Sequence, residues 1–223
     1  MSANFQDYLE GNMALEDRVY KAFEETQVVE RDQGEIFAFL QPLRIKHLPT
    51  FEHSLRVGLV SRSIAKAMHL SEKALLFPGL LHDVGKAQVE LSTLSKTEGW
   101  TKKDTQRMHP HVMLGYRMVR DRFDFSAEVI LWHHRFQFGG YPGGRMPLLH
   151  NYGLGTKVMI PFYGRLLALV DFYDALHRVN DHSGEVKGLT GEEIREQMLK
   201  HNQDQKQLIE ALYGADVFTT YTA

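Results

Sequence analysis

An apolar segment that begins at Ala74 ends in the sequence Leu80-Leu81-His82-Asp83-Val84-Gly85-Lys86. If this segment is buried, His82 and Asp83 lie at the edge of dry protein, where an unpaired charge is costly. The pair must then form a hydrogen bond, lose its charge or bind a cation, and this ligand set suits Zn, Mn or Fe. Gly85 permits a sharp exit from the helix, after which Lys86 points back over the site. A capped helix end with a satisfied His–Asp hydrogen bond is the competing interpretation.

Composition limits the class of protein. The chain has 223 residues, 43% of them hydrophobic, which is enough for one domain with a sizeable core. A net charge of -2 argues against a polymeric nucleic acid as partner, so an anionic substrate must be held locally. Because the chain has no cysteine, disulfides, thiolate nucleophiles, cysteine-ligated zinc and iron–sulfur clusters are excluded.

The sequence carries no targeting or membrane signal. The segment from Met1 to Met13 contains Asp7 and Glu10 and has no apolar core, unlike a signal peptide. No segment approaches the roughly eighteen apolar residues that a membrane span needs. We therefore expect a cytoplasmic protein that does not bind membranes.

Helical patterns extend over most of the chain. His53 points inward because it lies on the apolar stripe of a strong helix from 51 to 70. No alternating strand pattern is present, and we predict an all-α fold, a single bundle of about seven to nine helices. In this prediction residues 1–50 form an N-terminal helical extension and residues 51–223 the main domain. The other predicted helices cover 3–26, 32–41, 71–83, 102–120, 127–134, 161–178, a segment from Thr190, and 204–213, with breaks at Pro42 and Pro49.

Helix starts and loops are predicted from local signals. Ser71 and Ser126 are predicted N-caps, and capping boxes are predicted at Thr101 and Thr190. Residues 84–100 are predicted to form a loop. The glycine-rich stretch from 136 to 155 is predicted to be a longer loop, and a loop of this length inside a compact domain is usually functional.

Acidic or imidazole side chains recur at the inner face or the end of five successive elements. Taken singly, each is more often structural than catalytic, since an inward-facing histidine usually forms only a hydrogen bond. Helical bundles build metal sites from side chains on facing helices, and this set is large enough for two such sites. A two-metal centre is therefore the economical explanation. The candidate ligands are His53, His82, Asp83, either His109 or His111, His133, His134 and Asp171.

The order of these residues resembles the HD superfamily of metal-dependent phosphohydrolases, over about 50 to 178 of the chain. His53, then His82-Asp83, then Asp171 follow the order of the superfamily motifs. We prefer His111 to His109 as the ligand, because Gly115 follows His111 by four residues and this is the family spacing. His109 is the alternative. That spacing also resembles the HD-GYP branch, as do two further motifs, His133-His134 and Gly140-Tyr141-Pro142.

The resemblance implies an all-helical domain that binds two iron or manganese ions and hydrolyses a cyclic dinucleotide, cyclic di-GMP. Asp83 would bridge the two ions, Lys86 would contact the scissile phosphate, and Asp174 would lie behind the ligands. Two cations about 3.5–4 Å apart make a bound water a nucleophile at neutral pH. Lys86 would stabilise the negative charge that develops on the phosphate. Asp83 and Lys86 are therefore the expected catalytic residues. One metal would be held by His53, His82, Asp83 and Asp171, and the other by Asp83, His111, His133 and His134.

The chain departs from the HD-GYP pattern on the substrate side. After the paired histidines the branch usually has Glu and then Asp-Gly, whereas this chain has Arg135, Phe138 and Gly139. The Arg-Pro-Tyr run of the branch is replaced by residues 177–181. Arg135 and Arg145 are therefore the candidate substrate-binding residues, and cyclic di-GMP is expected to be a poor substrate.

Pro49 stands where some members of the branch have the Glu of a third metal, so two metals are predicted. Three functions are compatible with the ligand set: a phosphodiesterase on a cyclic dinucleotide or a related phosphoester, a di-iron oxygenase of the HD type, and a signalling or interaction module with little turnover. The paired histidines followed by Gly-Tyr-Pro favour the hydrolase. The expected partner is a small phosphoester, and a homodimer or a signalling partner protein is left open.

Overall fold

The computed structural model describes residues 14–136, 139–144, 151–177 and 188–218. Within these ranges the chain contains no β-strand, which confirms the predicted all-α fold. The described α-helices are α1 Leu15–Glu25, α2 Glu30–Lys46, α3 Leu48–Ala67, α4 Glu72–Leu81, α5 Leu91–Leu94, α6 Lys102–Met108, α7 His111–Val119, α8 Asp124–Ile130, α9 Leu154–Leu176, α10 Gly191–His201 and α11 Lys206–Gly214, with 3-10 helices at Val84–Gln88 and Gln203–Gln205.

Helices α3 and α4 share the most extensive contact among the described helices. A Cβ atom added to Gly79 would lie 2.8 Å from the Cα of Gly58, and one added to Gly58 would lie 2.5 Å from the side chain of Leu80. Glycine at both positions therefore allows the two helices to approach closely. This contact places α3 beside the end of α4, which is followed by His82.

Apolar side chains fill two clusters, and α3 and α4 contribute to both. The first cluster contains residues of α1, α2, α7 and α8, including Phe23, Leu40 and Val112. The second contains residues of α9, α10 and α11, including Leu167 and Met198. Full burial of each such side chain is worth about 1.5–3 kcal/mol. The helices before residue 50 thus share a core with later helices, and the division of the chain at that residue stays a prediction. No described helix combines the length and apolar character that crossing a bilayer requires.

Two prolines that the sequence pattern places at helix ends lie inside helices, whereas the break predicted at Pro49 is confirmed, because α2 ends at Lys46 and Pro49 is the second residue of α3. Pro42 lies inside α2, and Pro161 lies inside α9, which begins at Leu154. The predicted break at Pro42 and the predicted helix start near 161 are therefore wrong. Leu40 and Leu43 on α2 are fully buried. Their packing outweighs the hydrogen bond that a proline removes from a helix interior.

Local cap signals are confirmed at three positions and fail at another. Ser71 is the N-cap residue of α4, although its side chain makes no capping hydrogen bond. Capping boxes form at Thr101 and Thr190. Ser126 is not an N-cap, because α8 begins earlier with Phe123 at its N-cap position. The helix predicted over 102–120 is two helices, since the chain turns at Pro110. This break and the short helices between 84 and 100 give more helices than the sequence pattern predicts.

Candidate metal centre

The seven candidate ligands come from five separate parts of the chain and lie together. Six of them are buried, with exposed fractions of 0% to 8%, and His134 is half-buried. The structure therefore places every side chain of the predicted set at one site. They are His53 on α3, His82 and Asp83 directly after α4, His111 at the start of α7, His133 and His134 in the turns after α8, and Asp171 on α9.

Four side chains form the first group, around the Nε2 atoms of His53 and His82, which are 3.2 Å apart. Asp83 Oδ2 lies 3.5 Å from His53 Nε2 and 3.4 Å from His82 Nε2. Asp171 Oδ1 lies 3.2 Å and 3.8 Å from the same two nitrogens. Two imidazole nitrogens and two carboxylate oxygens thus meet, and this donor set suits a divalent transition metal.

Three side chains form the second group, His111, His133 and His134. Each offers one ring nitrogen, and these nitrogens lie within 4.8 Å of one another. Asp83 Oδ1 lies 3.3 Å from His111 Nε2. Asp83 therefore presents one oxygen to each group, and a carboxylate placed in this way is suited to bridge two metal ions.

Hydrogen bonds on the far side of the rings fix their tautomers. The Nδ1 atoms of His82, His111 and His133 each donate to the carbonyl oxygen three residues earlier, at 2.8, 2.8 and 2.6 Å. A neutral ring that donates from Nδ1 carries its lone pair on Nε2, which faces the site. His53 Nδ1 bonds in the same way to Asp174 Oδ2, at 2.7 Å. Such outer hydrogen bonds are typical of metal-binding histidines.

Four buried atoms at this site have no hydrogen-bond partner. They are Nε2 of His111, Nε2 of His133, Nδ1 of His134 and Oδ1 of Asp83. An unpaired buried polar atom costs about 1–3 kcal/mol. Because all four atoms can donate an electron pair and they share one site, a cation satisfies them together. The residues present therefore fit a metal ion.

Burial sets the protonation states of the second group. It lowers the pKa of His111 and of His133 to about 3, and it holds the pKa of His134 well below its ordinary value. Burial opposes ionisation of Asp83, but the Lys86 ammonium, His82 and His111 together outweigh it and hold the pKa of Asp83 well below its usual range. Neutral imidazoles and ionised carboxylates are the forms that bind metal ions.

The first group favours a positive charge. Burial acts to lower the pKa of His82, but the carboxylates of Asp83 and Asp171 outweigh it and raise that pKa above its ordinary value. The pKa of Asp171 is held well below its usual range, because His53 and His82 outweigh its burial. A cation bound at this position would stabilise both ionised carboxylates.

Lys86 lies on the 3-10 helix Val84–Gln88 and points back toward the site, with Nζ 2.6 Å from Asp83 Oδ2. The role predicted for Gly85 is wrong, because α4 ends before it, at Leu81, and the chain makes no sharp exit at the glycine. A Cβ atom added to Gly85 would collide with the carbonyl oxygen of His111. Glycine is needed there because the 3-10 helix packs directly on α7.

Arg56 was not among the predicted site residues, and it supports the first group from behind. Its guanidinium donates to both oxygens of Asp174, from Nε at 2.7 Å and from Nη2 at 3.1 Å. Asp174 in turn bonds to His53. The spacing in the sequence gives only part of this arrangement: Arg56 follows His53 by three residues and Asp174 follows Asp171 by three. Residues at this spacing share one helix face.

Two of the remaining candidates, His109 and Arg135, make their described contacts outside the two groups. The ring of His109 stacks on Tyr141, with centroids 3.8 Å apart, whereas His111 lies among the ligands. Arg135 is half-buried, and its guanidinium carbon lies 5.2 Å from the ring centroid of Trp132. Arg145 lies outside the described residues. The substrate contacts expected of both arginines stay predictions.

The chain is similar to proteins that are named as phosphodiesterases. The chain is 30% identical over 139 residues to a cyclic di-GMP phosphodiesterase of Thermotoga maritima, an alignment that covers 59% of this chain and 35% of that protein. It is 26% identical over 172 residues to the cyclic di-GMP phosphodiesterase response regulator RpfG of Xanthomonas campestris, covering 74% of this chain and 42% of the relative. The chain thus spans less than half the length of either relative.

The fold also matches a solved structure, the HD domain of the L. monocytogenes phosphodiesterase PgpH. The TM-score is 0.53 at 14% identity, over 80% of this chain and 95% of that chain, which is a likeness of fold alone. The family model described as HD domain matches residues 50–178, more than half of the chain. All seven candidate ligands lie within that range. The chain therefore belongs to the HD domain family.

Proposed function

We propose that the chain is a binuclear metal-dependent phosphodiesterase of the HD-GYP branch, which acts on a cyclic dinucleotide such as cyclic di-GMP or on a related phosphoester. The observation that carries this proposal is the position of Asp83, with Oδ2 toward the first group and Oδ1 toward the second. One carboxylate between two nitrogen-rich groups is an arrangement that a two-metal hydrolase can use. The names of the two relatives support the substrate class.

Each metal has four ligands in this proposal. Iron or manganese suits the mixture of imidazole and carboxylate donors. When bound, the two cations lower the pKa of water and stabilise negative charge on phosphoryl oxygens. The buried rings keep bulk water out of the site, which strengthens every electrostatic interaction in it. The ligands are His53, His82, Asp83 and Asp171 for the first metal, and Asp83, His111, His133 and His134 for the second.

Lys86 is the proposed residue that stabilises charge on the substrate. Its side chain is 16% exposed, whereas that of Asp83 is 1% exposed, so the ammonium lies between the carboxylate and solvent. A phosphodiester that enters from solvent meets this positive charge, which offsets repulsion by the buried carboxylates. In the transition state the same ammonium stabilises the negative charge that develops on the phosphoryl oxygens.

Arg135 and Arg145 are the proposed contacts to the rest of the substrate. Nη1 of Arg135 is buried and has no hydrogen-bond partner among the described residues, so this guanidinium keeps an unused donor. Guanidinium groups bind phosphate oxygens well because their donors match the geometry of the anion. Arg145 is proposed from its place in the glycine-rich segment alone.

We also propose that the protein is cytoplasmic and that its ligand is a small anion. A second copy of the chain or a signalling partner protein is the proposed means of regulation. The di-iron oxygenase and the module with little turnover would keep the same ligand set. Relatives named as phosphodiesterases favour hydrolysis over both.

The test is a hydrolysis screen with the full chain, reconstituted with iron or with manganese. The substrates are cyclic di-GMP, the corresponding linear dinucleotide and bis(4-nitrophenyl) phosphate, with products separated by ion-exchange chromatography. We expect metal-dependent hydrolysis that is absent from Asp83→Ala and retained by Glu196→Ala, a change of an exposed acidic residue on α10. Oxygen uptake without hydrolysis of any of the three substrates would identify an oxygenase instead.

A further inference from the structure

His134 is held differently from the other four histidines of the site. Among the described residues neither nitrogen of its ring, of which Nδ1 is buried, forms a hydrogen bond, so no such bond orients the ring whichever nitrogen binds the metal. A ligand histidine is normally oriented by a hydrogen bond from its second ring nitrogen. The other four rings are oriented in this way, through Nδ1 to a carboxylate or a backbone carbonyl, and they are His53, His82, His111 and His133.

The phenol ring of Tyr141 covers the ring of His134. Their centroids are 4.6 Å apart and their planes differ by 23°. The other face of Tyr141 stacks on His109, with centroids 3.8 Å apart and an interplanar angle of 16°. His109, Tyr141 and His134 thus form one ring stack with the tyrosine in the middle. Stacked rings attract each other beyond the gain from burial alone, and they keep their planes nearly parallel.

The backbone holds Tyr141 and His109 in place around His134. The N–H of Tyr141 donates to the carbonyl oxygen of His134 at 3.3 Å. A Cβ atom added to Gly140 would collide with the backbone of Arg135, so the loop can return this closely only with glycine there. His109 is anchored too, because its N–H donates to a carbonyl of α6 at 3.0 Å.

We propose that Tyr141 and His109 are positioning residues that hold the plane of the His134 ring, so that this ring can bind the second metal. The inference rests on the proposed metal centre. Rotation of a histidine ring about its second side-chain torsion is soft. Without the stack, His134 would adopt the binding orientation for less of the time. His109 therefore acts through Tyr141, and neither of these two rings supplies a ligand atom.

Manganese binding by the full chain tests this inference independently of activity. Titration calorimetry gives the affinity of each site, and electron paramagnetic resonance distinguishes coupled from isolated ions. We expect Tyr141→Leu to weaken one of two sites by about tenfold, and Tyr141→Phe to bind like the wild type because it keeps the ring. His109→Ala should give a smaller loss at the same site, and His109→Phe should restore it. His134→Ala is the reference for loss of the ligand itself.

Unchanged affinity in both Tyr141→Leu and His109→Ala would overturn the inference. A loss in Tyr141→Phe equal to that in Tyr141→Leu would also overturn it, since the hydroxyl and not the ring would then matter. Thermal melting by circular dichroism controls for folding, and the half-buried His109 supplies the test if Tyr141→Leu does not fold. If the wild type binds fewer than two ions, both the metal centre and this inference are refuted. If it binds two ions and the variants bind them with unchanged affinity, only the orienting role of the ring stack is refuted.

Discussion

The ammonium nitrogen of Lys86 lies 2.6 Å from Oδ2 of Asp83, the same oxygen that faces His53 and His82. Burial opposes ionisation of Asp83, but the ammonium together with His82 and His111 keeps the pKa of this carboxyl well below its usual range. A metal ion in the first group would compete with Lys86 for that oxygen. Lys86 would then be free to bind an anionic substrate. The ion pair with Asp83 is therefore compatible with its proposed role in stabilising charge on the substrate.

Lys86→Ala should therefore keep the metal and lose rate. The expected fall in kcat is about a hundredfold or more, as for other groups that stabilise transition-state charge. Metal content is measured by elemental analysis and kcat with the substrate that the screen identifies. Lys73→Ala, at an exposed lysine on α4, is the matched control and should change neither quantity. Equal metal loss in Lys86→Ala and Asp83→Ala would show that Lys86 is structural.

Asp174→Ala should weaken metal binding although Asp174 is not a proposed ligand. It removes the hydrogen bond that orients His53, and loss of such an outer partner typically costs about 10–100-fold in metal affinity. Arg56→Ala should have a smaller effect on the same site, because the carboxylate remains. Calorimetric titration with manganese measures both. Asp204→Ala, which breaks the ion pair of Arg165 on α9 and changes no residue of the site, is the control. Full affinity in Asp174→Ala would refute the orienting role.

Arg135→Ala and Arg145→Ala should raise KM more than they change metal content. Both residues come after the paired histidines, where this chain departs from the HD-GYP pattern. Loss of one guanidinium contact to a phosphate weakens substrate binding and leaves the metal ligands in place. Steady-state kinetics and elemental analysis measure the two effects, with Arg117→Ala as a control at an exposed arginine of α7. If both variants keep the kinetics of the wild type, these arginines do not contact the substrate.

Cyclic di-GMP should be a poor substrate for this chain compared with its turnover by typical members of the branch. Two purine nucleotides joined in a ring need contacts besides the metals, and the chain lacks the Glu and Arg-Pro-Tyr features of the branch. Lost binding energy from remote groups lowers the rate as well as the affinity, because it also positions the reacting phosphate. Kinetics on cyclic di-GMP and on the linear dinucleotide, with iron and with manganese, measure this. Fast turnover of cyclic di-GMP at micromolar concentrations would contradict it.

Much of the site is predictable from local sequence patterns. The apolar stripe of α3 predicts that His53 points inward, and the structure buries it. The apolar segment that ends at Leu81 predicts that His82 and Asp83 lie at the edge of the core, and both are buried. These predictions succeed because each depends on the face of one helix, which the spacing of apolar residues determines.

Contacts between distant segments were less accessible from the sequence. Arg56 meets Asp174 because α3 packs on α9, and no local pattern gives that pairing. The ring stack joins His109, at the end of α6, to Tyr141 from a distant segment, and no local pattern predicts that contact. The break predicted at Pro42 failed for a similar reason, since the packing of α2 outweighs the local preference of proline. In each case tertiary contacts decide the outcome.

The central claim is that Asp83 bridges two metal ions, each held by its own group of side chains. Because the bridge serves both ions, Asp83→Ala should lose activity and most of both metals. Asp171→Ala should affect only the first metal, and His133→Ala only the second. Glu196→Ala, at an exposed acidic residue, should keep both.

Elemental analysis of the reconstituted chain, purified without chelator, tests this claim most directly. For the wild type we predict about two equivalents of iron or manganese per chain, and for Asp83→Ala a loss of most of both. A reproducible stoichiometry of one, unchanged when His111, His133 or His134 is replaced by alanine, would contradict the account.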